Sequence, residues 1–272
     1  MANLIVDQDL CTRCGICSIV CPMGIVSPAD ESTLPVVKDT VAGMCIQCGH
    51  CEVSCPSQAL LLNVRQDEKT PLMAGAGTIS PEDLGGYLKK RRSVRHFTKD
   101  PVPKDTIVEV LDIARYAASG GNGQPVEWIV VHDPEQVKLI AELTIAWMKT
   151  LVNSSHPMSG YVPRLIGAWE GGDDVICRGA PHLLVAHIPA GNLIASVDAI
   201  IALTHFDVAA PAFGVGTCWG GFVSMAAASY EPIQKELGIP AGRNSAYAMM
   251  FGYPQYKIYG IPRRKPLEIT WQ

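Results

Sequence analysis

The sequence predicts a two-domain chain of mixed helix and strand: a small cysteine-rich domain over 1–66, a linker over 67–80 and a larger domain over 81–272. Three observations predict it. Eight of the ten cysteines fall before residue 56, in two copies of one pattern. A stretch rich in charge, proline and glycine, DEKTPLMAGAGTI, follows the second copy. Beyond it, apolar residues recur at helical spacing in some segments and as short strand-like runs in others.

Bulk properties narrow the class. A length of 272 residues accommodates two domains. Hydrophobic residues make up 48% and charged residues 18%, which argues for a packed core and against a disordered chain. Lysine and arginine number 22 against 26 acids, a net charge of −4, so no broad basic face is expected and no nucleic-acid partner. The first ten residues lack a basic leader and carry Asp7 and Asp9, so a cytoplasmic location is expected. Cysteines clustered there point to metal in place of disulfides. Leu193 to Val215 is apolar, but Asp198, His205, Asp207 and Pro211 interrupt it. It reads as a buried core helix, not a membrane span.

Cys11, Cys14, Cys17 and Cys21 are followed by Pro22, and Cys45, Cys48, Cys51 and Cys55 by Pro56. Both runs have the form C-x2-C-x2-C-x3-C-P. Three cysteines at two-residue intervals wrap a loop around three corners of a cubane. The fourth, one turn on, points away and supplies the last corner of the other cluster. Proline after it stops the helix. Cys11, Cys14, Cys17 and Cys55 are thus expected to hold one [4Fe–4S] cluster, and Cys45, Cys48, Cys51 and Cys21 the second. A pair of zinc sites is the rival reading. Gly15 and Gly49 occupy matching loop positions, where backbone N–H groups can approach cluster sulfurs. Leu4–Val6 and Ala59–Leu62 are expected to form a small antiparallel sheet with Val36–Val37. The segment from Ser27 to Thr40 reads as an inserted surface hairpin. This region resembles the bacterial two-cluster ferredoxins.

In the second domain, Ser80 reads as an N-cap with Pro81 at the first helical position and Asp83 three residues on, opening a helix to about Arg92. KRRSVRHF follows. Its cations are either a solvated helix end or an anion clamp. Pro103 to Ser119 carries a helical stripe and runs into SGGNGQP. Glycines there let backbone approach a flat ligand, and Asn122 and Gln124 supply amides. Trp128–Val131, His182–Ile188 and Ala246–Gly252 read as strands. Glu135–Asn153, Ala195–Phe213 and Met225–Leu237 read as helices, and Ser154–Asp174 as loop. Gly214 to Phe222 is a second glycine-rich segment, but its spacing is not a nicotinamide-binding fingerprint. Cys177 reads as a small buried hydrophobe and Cys218 as a packed thiol.

The order RRSVRHF, helix, SGGNGQP, strand, long apolar helix, GTCWGG, GYP and basic tail resembles the nitroreductase family over about 81–272. That resemblance implies an α+β fold with a mostly antiparallel sheet wrapped by helices, an intertwined homodimer and FMN at the dimer interface. It implies that Arg91, Arg92, Ser93 and Arg95 hold the FMN phosphate, ribityl chain and pyrimidine edge. Ser119, Gly120 and Asn122 approach the flavin from the other subunit, and Gln124 is a further cofactor-binding candidate. Trp219, Gly220 and Gly221 line the isoalloxazine, and Arg263 and Lys265 complete the phosphate site. Glycines at 120, 121 and 123 depart from the bulkier polar residues common in the family.

The expected function is an iron–sulfur flavoprotein oxidoreductase. Two [4Fe–4S] clusters pass electrons to FMN, which reduces a small organic acceptor: a nitro compound, quinone, flavin or activated alkene. The chemistry belongs to the cofactors, so no catalytic side chain is assigned. Ferredoxin and NAD(P)H are both candidate donors. The alternatives are an electron-transfer module between a soluble ferredoxin and a protein redox partner, with no small-molecule substrate of its own, and a cluster-based sensor without turnover.

Overall fold

The computed structural model describes residues 3–30, 32–63 and 78–272, so the predicted linker over 67–80 lies outside the described residues up to position 77. The chain divides into two compact units, one within Met1–Thr78 with Gly121–Gly123, the other Ile79–Gly120 with Gln124–Gln272.

In the first unit, β1 (Asn3–Val6) and β2 (Leu60–Asn63) pair antiparallel, with Leu4 opposite Leu62 and Val6 opposite Leu60. Val37 does not join this sheet; it bridges Val26. The reason is local. Ser27 N–H donates to the Val36 carbonyl at 2.8 Å, and Asp30 N–H to that of Thr33 at 3.2 Å, so the inserted segment folds back on itself as a hairpin. The Asp30 carboxylate accepts the N–H groups of Ser32 and Thr33 and fixes its tip. Two single helical turns, α1 (Ile16–Ile19) and α2 (His50–Val53), begin after Gly15 at φ 75° and Gly49 at φ 73°. Glycine adopts that left-handed conformation without a Cβ penalty, which is why it occupies the matching site in each repeat. Cys17, Val26 and Leu60 form a small core between the repeats.

The second unit is built on a four-stranded antiparallel sheet: β3 (Glu127–Val131), β4 (His182–Pro189), β5 (Gly216–Trp219) and β6 (Arg243–Gly252), in the order β3–β4–β6–β5. The whole molecule is therefore α+β. β4 is apolar almost throughout because both faces are covered. Its side chains alternate: Leu183 and Val185 enter one core, Leu184, Ala186 and Ile188 the other. The first core is filled by α5 (Pro134–Leu151), α6 (Val162–Glu170), α8 (Gly221–Ser229) and α9 (Glu231–Glu236). The second is filled by α4 (Lys104–Ala114) and α7 (Leu193–Ala209), through Ile107, Val110, Ala199, Leu203 and Phe206. Ahead of these, α3 (Pro81–Lys90) starts as expected: Ser80 Oγ accepts the Asp83 N–H at 3.0 Å and donates to its carboxylate at 2.8 Å.

Five expectations need correction. The segment read as loop over 154–174 contains α6, which Pro163 opens and in which Val162, Leu165, Ile166 and Trp169 make an apolar stripe. The helix expected over Met225–Leu237 is two helices, α8 and α9, separated by the extended Tyr230, with Pro232 in the first turn of α9. Gly216–Trp219, read only as glycine-rich, is strand β5. The helix expected through Phe213 ends as α at Ala209 and continues as a 3-10 turn over Ala210–Phe213, around Pro211. Leu193–Phe213 is long and apolar enough to cross a membrane by length and composition. It is not wholly buried as expected: Leu193, Ile194 and Val197 are exposed along one face.

Candidate cofactor sites

Each cysteine run folds into a loop around the short helix that carries its third cysteine. Cys11, Cys14, Cys17 and Cys55 line one cavity of about 320 Å³. Cys21, Cys45, Cys48 and Cys51 line another of about 390 Å³. In each, three cysteines come from one repeat and the fourth from the other. None of the ten cysteines is in a disulfide. Four thiols spread round each cavity, three from one repeat and one from the other, suit the four corners of a cubane.

The electrostatics distinguish the third and fourth cysteines. Burial pushes the Cys17 thiol up and the Cys51 thiol up to about 11. Burial also opposes ionisation of Cys21, but backbone N–H groups of Ile25, Met23, Val26 and Gly24 outweigh it and leave that thiol below its ordinary value. Cys55 is the same case, with the Ser57 hydroxyl and the N–H groups of Ala59, Ser57 and Leu60 acting against burial. The Ala59 N–H lies 3.3 Å from its sulfur. Both fourth cysteines thus sit in rings of donors that favour thiolate.

In the second unit, the RRSVR segment leaves α3 and runs alongside β5. Ser93 bridges Thr217 in parallel, and Val94 N–H donates to the Thr217 carbonyl at 2.8 Å. The approach is close: a Cβ on Gly216 would stand 2.5 Å from Val94 Cγ2. This places Arg91, Arg92, Ser93 and Arg95 beside the strand that ends in Trp219. The cations are crowded. Desolvation first, then the charges of Arg264 and Arg91, pull Arg92 below the usual arginine value. Arg92 Nε and Arg91 Nη1 are buried without a hydrogen-bond acceptor. Arg91 Nη1 faces the Asp207 carboxylate at 3.3 Å, while Arg92 has no acid opposite it among the described residues; a cluster of cations with one acid between them fits an FMN phosphate. Arg263 and Lys265 are exposed in the C-terminal tail, and the tail residue whose charge bears on Arg92 is Arg264.

After β5, the Trp219–Gly221 turn is pinned to β6. Gly220 N–H donates to the Ala248 carbonyl at 2.8 Å, Ser224 Oγ donates to the Gly220 carbonyl at 2.8 Å, and Ala248 N–H donates to that hydroxyl at 2.9 Å. A Cβ on Gly220 would lie 3.2 Å from the Ala248 oxygen, and one on Gly221 3.2 Å from the Tyr247 hydroxyl. Glycine here lets the turn sit flush on the sheet. Burial raises the Cys218 thiol, with Arg95 and Arg178 acting against it. A buried neutral thiol matches the packed role expected of it, and Cys177, fully buried, is raised further.

The second glycine-rich turn folds by the same logic. Gly121 lies at φ 56°, Asn122 at 54° and Gln124 at 44°. Gln124 N–H donates to Ser119 Oγ at 3.0 Å, and Gly120 N–H to Asp198 Oδ1 at 3.0 Å. Asn122, grouped with the first unit, donates its amide to the Ile46 and Gln47 carbonyls, both at 3.0 Å. The sequence registered Asp198 and Asp207 only as interruptions of an apolar helix, yet both are buried and engaged with the segments singled out for the flavin. Arg178 had no signal of its own, and Arg264 was legible only as one of the basic tail; tertiary placement brings each to bear on the candidate site.

Residues 88–253 match the Nitroreductase family, and residues 10–60 match a 4Fe-4S dicluster domain. A protein named NADH dehydrogenase from Thermus thermophilus is 27% identical over 198 residues, which cover 67% of this chain and 93% of that protein. A nitroreductase with bound FMN from Desulfitobacterium hafniense aligns at a TM-score of 0.57 and 23% identity, over 71% of this chain and 100% of that one. An FMN-dependent nitroreductase from Mycobacterium smegmatis, in complex with NADPH, aligns at 0.51 and 25% identity, over 66% and 92%. The chain belongs to the nitroreductase family of oxidoreductases, with a 4Fe-4S dicluster domain fused ahead of the nitroreductase domain.

Proposed function

We propose that the protein is an iron–sulfur flavoprotein reductase in which two [4Fe–4S] clusters feed an FMN that reduces a small organic acceptor. The observation that carries this reading is the sharing of cysteines: each cavity draws three from one repeat and one from the other, in a chain that also holds a nitroreductase domain. Cys11, Cys14, Cys17 and Cys55 ligate one cluster; Cys45, Cys48, Cys51 and Cys21 ligate the other. When bound, the clusters supply single electrons and FMN supplies one- and two-electron chemistry.

The protein's own contribution is position and charge. Arg91, Arg92, Ser93 and Arg95 hold the phosphate, ribityl chain and pyrimidine edge, with Arg263 and Lys265 of the tail closing the phosphate site. Trp219, Gly220 and Gly221 present a flat backbone edge to the isoalloxazine, and Ser119, Gly120 and Asn122 come from the second subunit, with Gln124 a further contact. The crowding of Arg92 by Arg264 and Arg91 supports the phosphate assignment. A homodimer is supported by the exposed apolar face of α7, where Leu193 is 86% exposed and Val197 59%. The acceptor is a nitro compound, quinone, flavin or activated alkene, and the setting an anaerobic cytoplasm.

The test is anaerobic reduction of the reconstituted protein by NADH, NADPH and reduced ferredoxin, followed at the flavin and cluster absorption bands. The proposal expects flavin reduction to depend on intact clusters. Flavin reduced equally fast by a nicotinamide after cluster removal would refute the electron route.

A further inference from the structure

One buried carboxylate ties together the two ends of the candidate flavin site. Asp207 lies on α7, a helix otherwise dominated by apolar side chains, and its residue is only 4% exposed. Its Oδ1 accepts the Thr217 hydroxyl. Its Oδ2 accepts the Trp219 indole N–H at 3.2 Å and stands 3.3 Å from Arg91 Nη1. The Arg91 nitrogen is not aligned to hydrogen-bond that oxygen. Charge, not a directed hydrogen bond, holds the pair.

A carboxylate buried among apolar side chains is strongly disfavoured unless it is paired and hydrogen-bonded. Asp207 meets that requirement with three partners, and all three lie in segments assigned to the flavin: Arg91 at the phosphate end, Thr217 and Trp219 on the strand leading to the isoalloxazine turn. The indole is held from its other side as well, its ring edge-on to Tyr247 at 5.2 Å between centroids. Removing the carboxylate leaves Arg91, 29% exposed along its side chain, free to swing to solvent, and leaves the indole with no acceptor on Asp207.

We propose that Asp207 is a positioning residue for FMN: it touches no flavin itself but couples the Arg91 guanidinium to the Trp219 indole, so that the phosphate clamp and the ring-facing turn are set as one unit. This rests on the FMN reading above.

Residues that share a partner are energetically coupled, whereas distant residues without one act independently. The experiment is a double-mutant cycle with Arg91→Lys and Trp219→Phe, read as FMN dissociation constants of the full-length, cluster-loaded protein. The cycle is repeated with Asp207→Asn, and with Thr217→Val in case Asp207→Asn does not fold. The expected result is that the double variant departs from the product of the single effects by at least about threefold. The departure should disappear with Asp207→Asn and shrink with Thr217→Val. Effects that multiply within experimental error, or a departure unchanged by both background variants, would overturn the proposal. If the wild-type chain binds no FMN, the flavin reading fails on its own, and the same cycle read by urea unfolding still decides whether Asp207 couples the two side chains.

Discussion

The His182 imidazole lies flat against that of His132, ring centroids 4.3 Å apart and planes 18° from parallel. His182 is fully buried. Its Nε2 accepts the Val102 N–H at 2.8 Å and its Nδ1 donates to the His132 carbonyl at 2.9 Å, so the ring is held neutral in one tautomer.

That neutral ring predicts acid sensitivity. Burial, then the charge of His132, lowers the His182 value to about 4 from an ordinary 6.5. The unfolded chain therefore takes up a proton that the native state refuses as pH falls below about 6.5. Stability should decline from there until the native ring also protonates near pH 4, a total of about 3 kcal/mol. Urea unfolding of wild type and His182→Gln between pH 7 and 4 checks this. A stability difference between the two that does not change with pH would sink the assignment.

Cluster ligation should cross between repeats. Cys55→Ser should damage the same cluster as Cys11→Ser, and Cys21→Ser the same one as Cys45→Ser, because each pair lines one cavity. Anaerobic iron content and electron paramagnetic resonance of the four reduced variants distinguish the cases. Pairing of Cys55 with Cys45 by spectrum would contradict the geometry.

Gly216 should tolerate no side chain. A Cβ there would meet Val94 at 2.5 Å and Pro254 at 2.8 Å, both flanking β5. Gly216→Ala is expected to lose about 1–3 kcal/mol of stability. It should also loosen flavin binding, since Val94 lies between Ser93 and Arg95. Chemical unfolding and retained flavin, measured together, test both parts. An unchanged variant would mean the strand edge yields freely.

The arginine clamp should dominate FMN retention. Hydrogen bonds to charged groups contribute about 1.5–3 kcal/mol each, so Arg91→Ala with Arg95→Ala should weaken FMN at least about tenfold. Arg264→Ala should weaken it less, and more at low salt than at high salt, because its influence on Arg92 is through charge. Full flavin retention by the Arg91 and Arg95 double variant, followed by fluorescence of released flavin, would remove the clamp.

The cysteine runs were legible because cluster ligation needs a fixed spacing within a short stretch, and the Ser80 cap because its partner Asp83 is three residues away. β4 was legible as a continuous apolar run. What the sequence could not reveal were relationships between residues far apart in the chain. β5 is a strand because β6 and the RRSVR segment flank it, not because four residues containing a glycine favour that form. α6 was hidden by prolines and glycines that signal loops in isolation, and it is held by packing on α5.

By itself, the sequence determined the chemistry available: eight thiols in two ligating frames, a run of arginines and two glycine-rich turns, each encoded locally. Only the tertiary structure decided which groups meet. It brought Arg264 rather than Lys265 to bear on Arg92, and turned Asp207 from an odd charge in an apolar helix into the shared acceptor of Arg91, Thr217 and Trp219. The physical reason is that spacing along the chain fixes local geometry, whereas a buried charge finds partners only when distant segments pack around it.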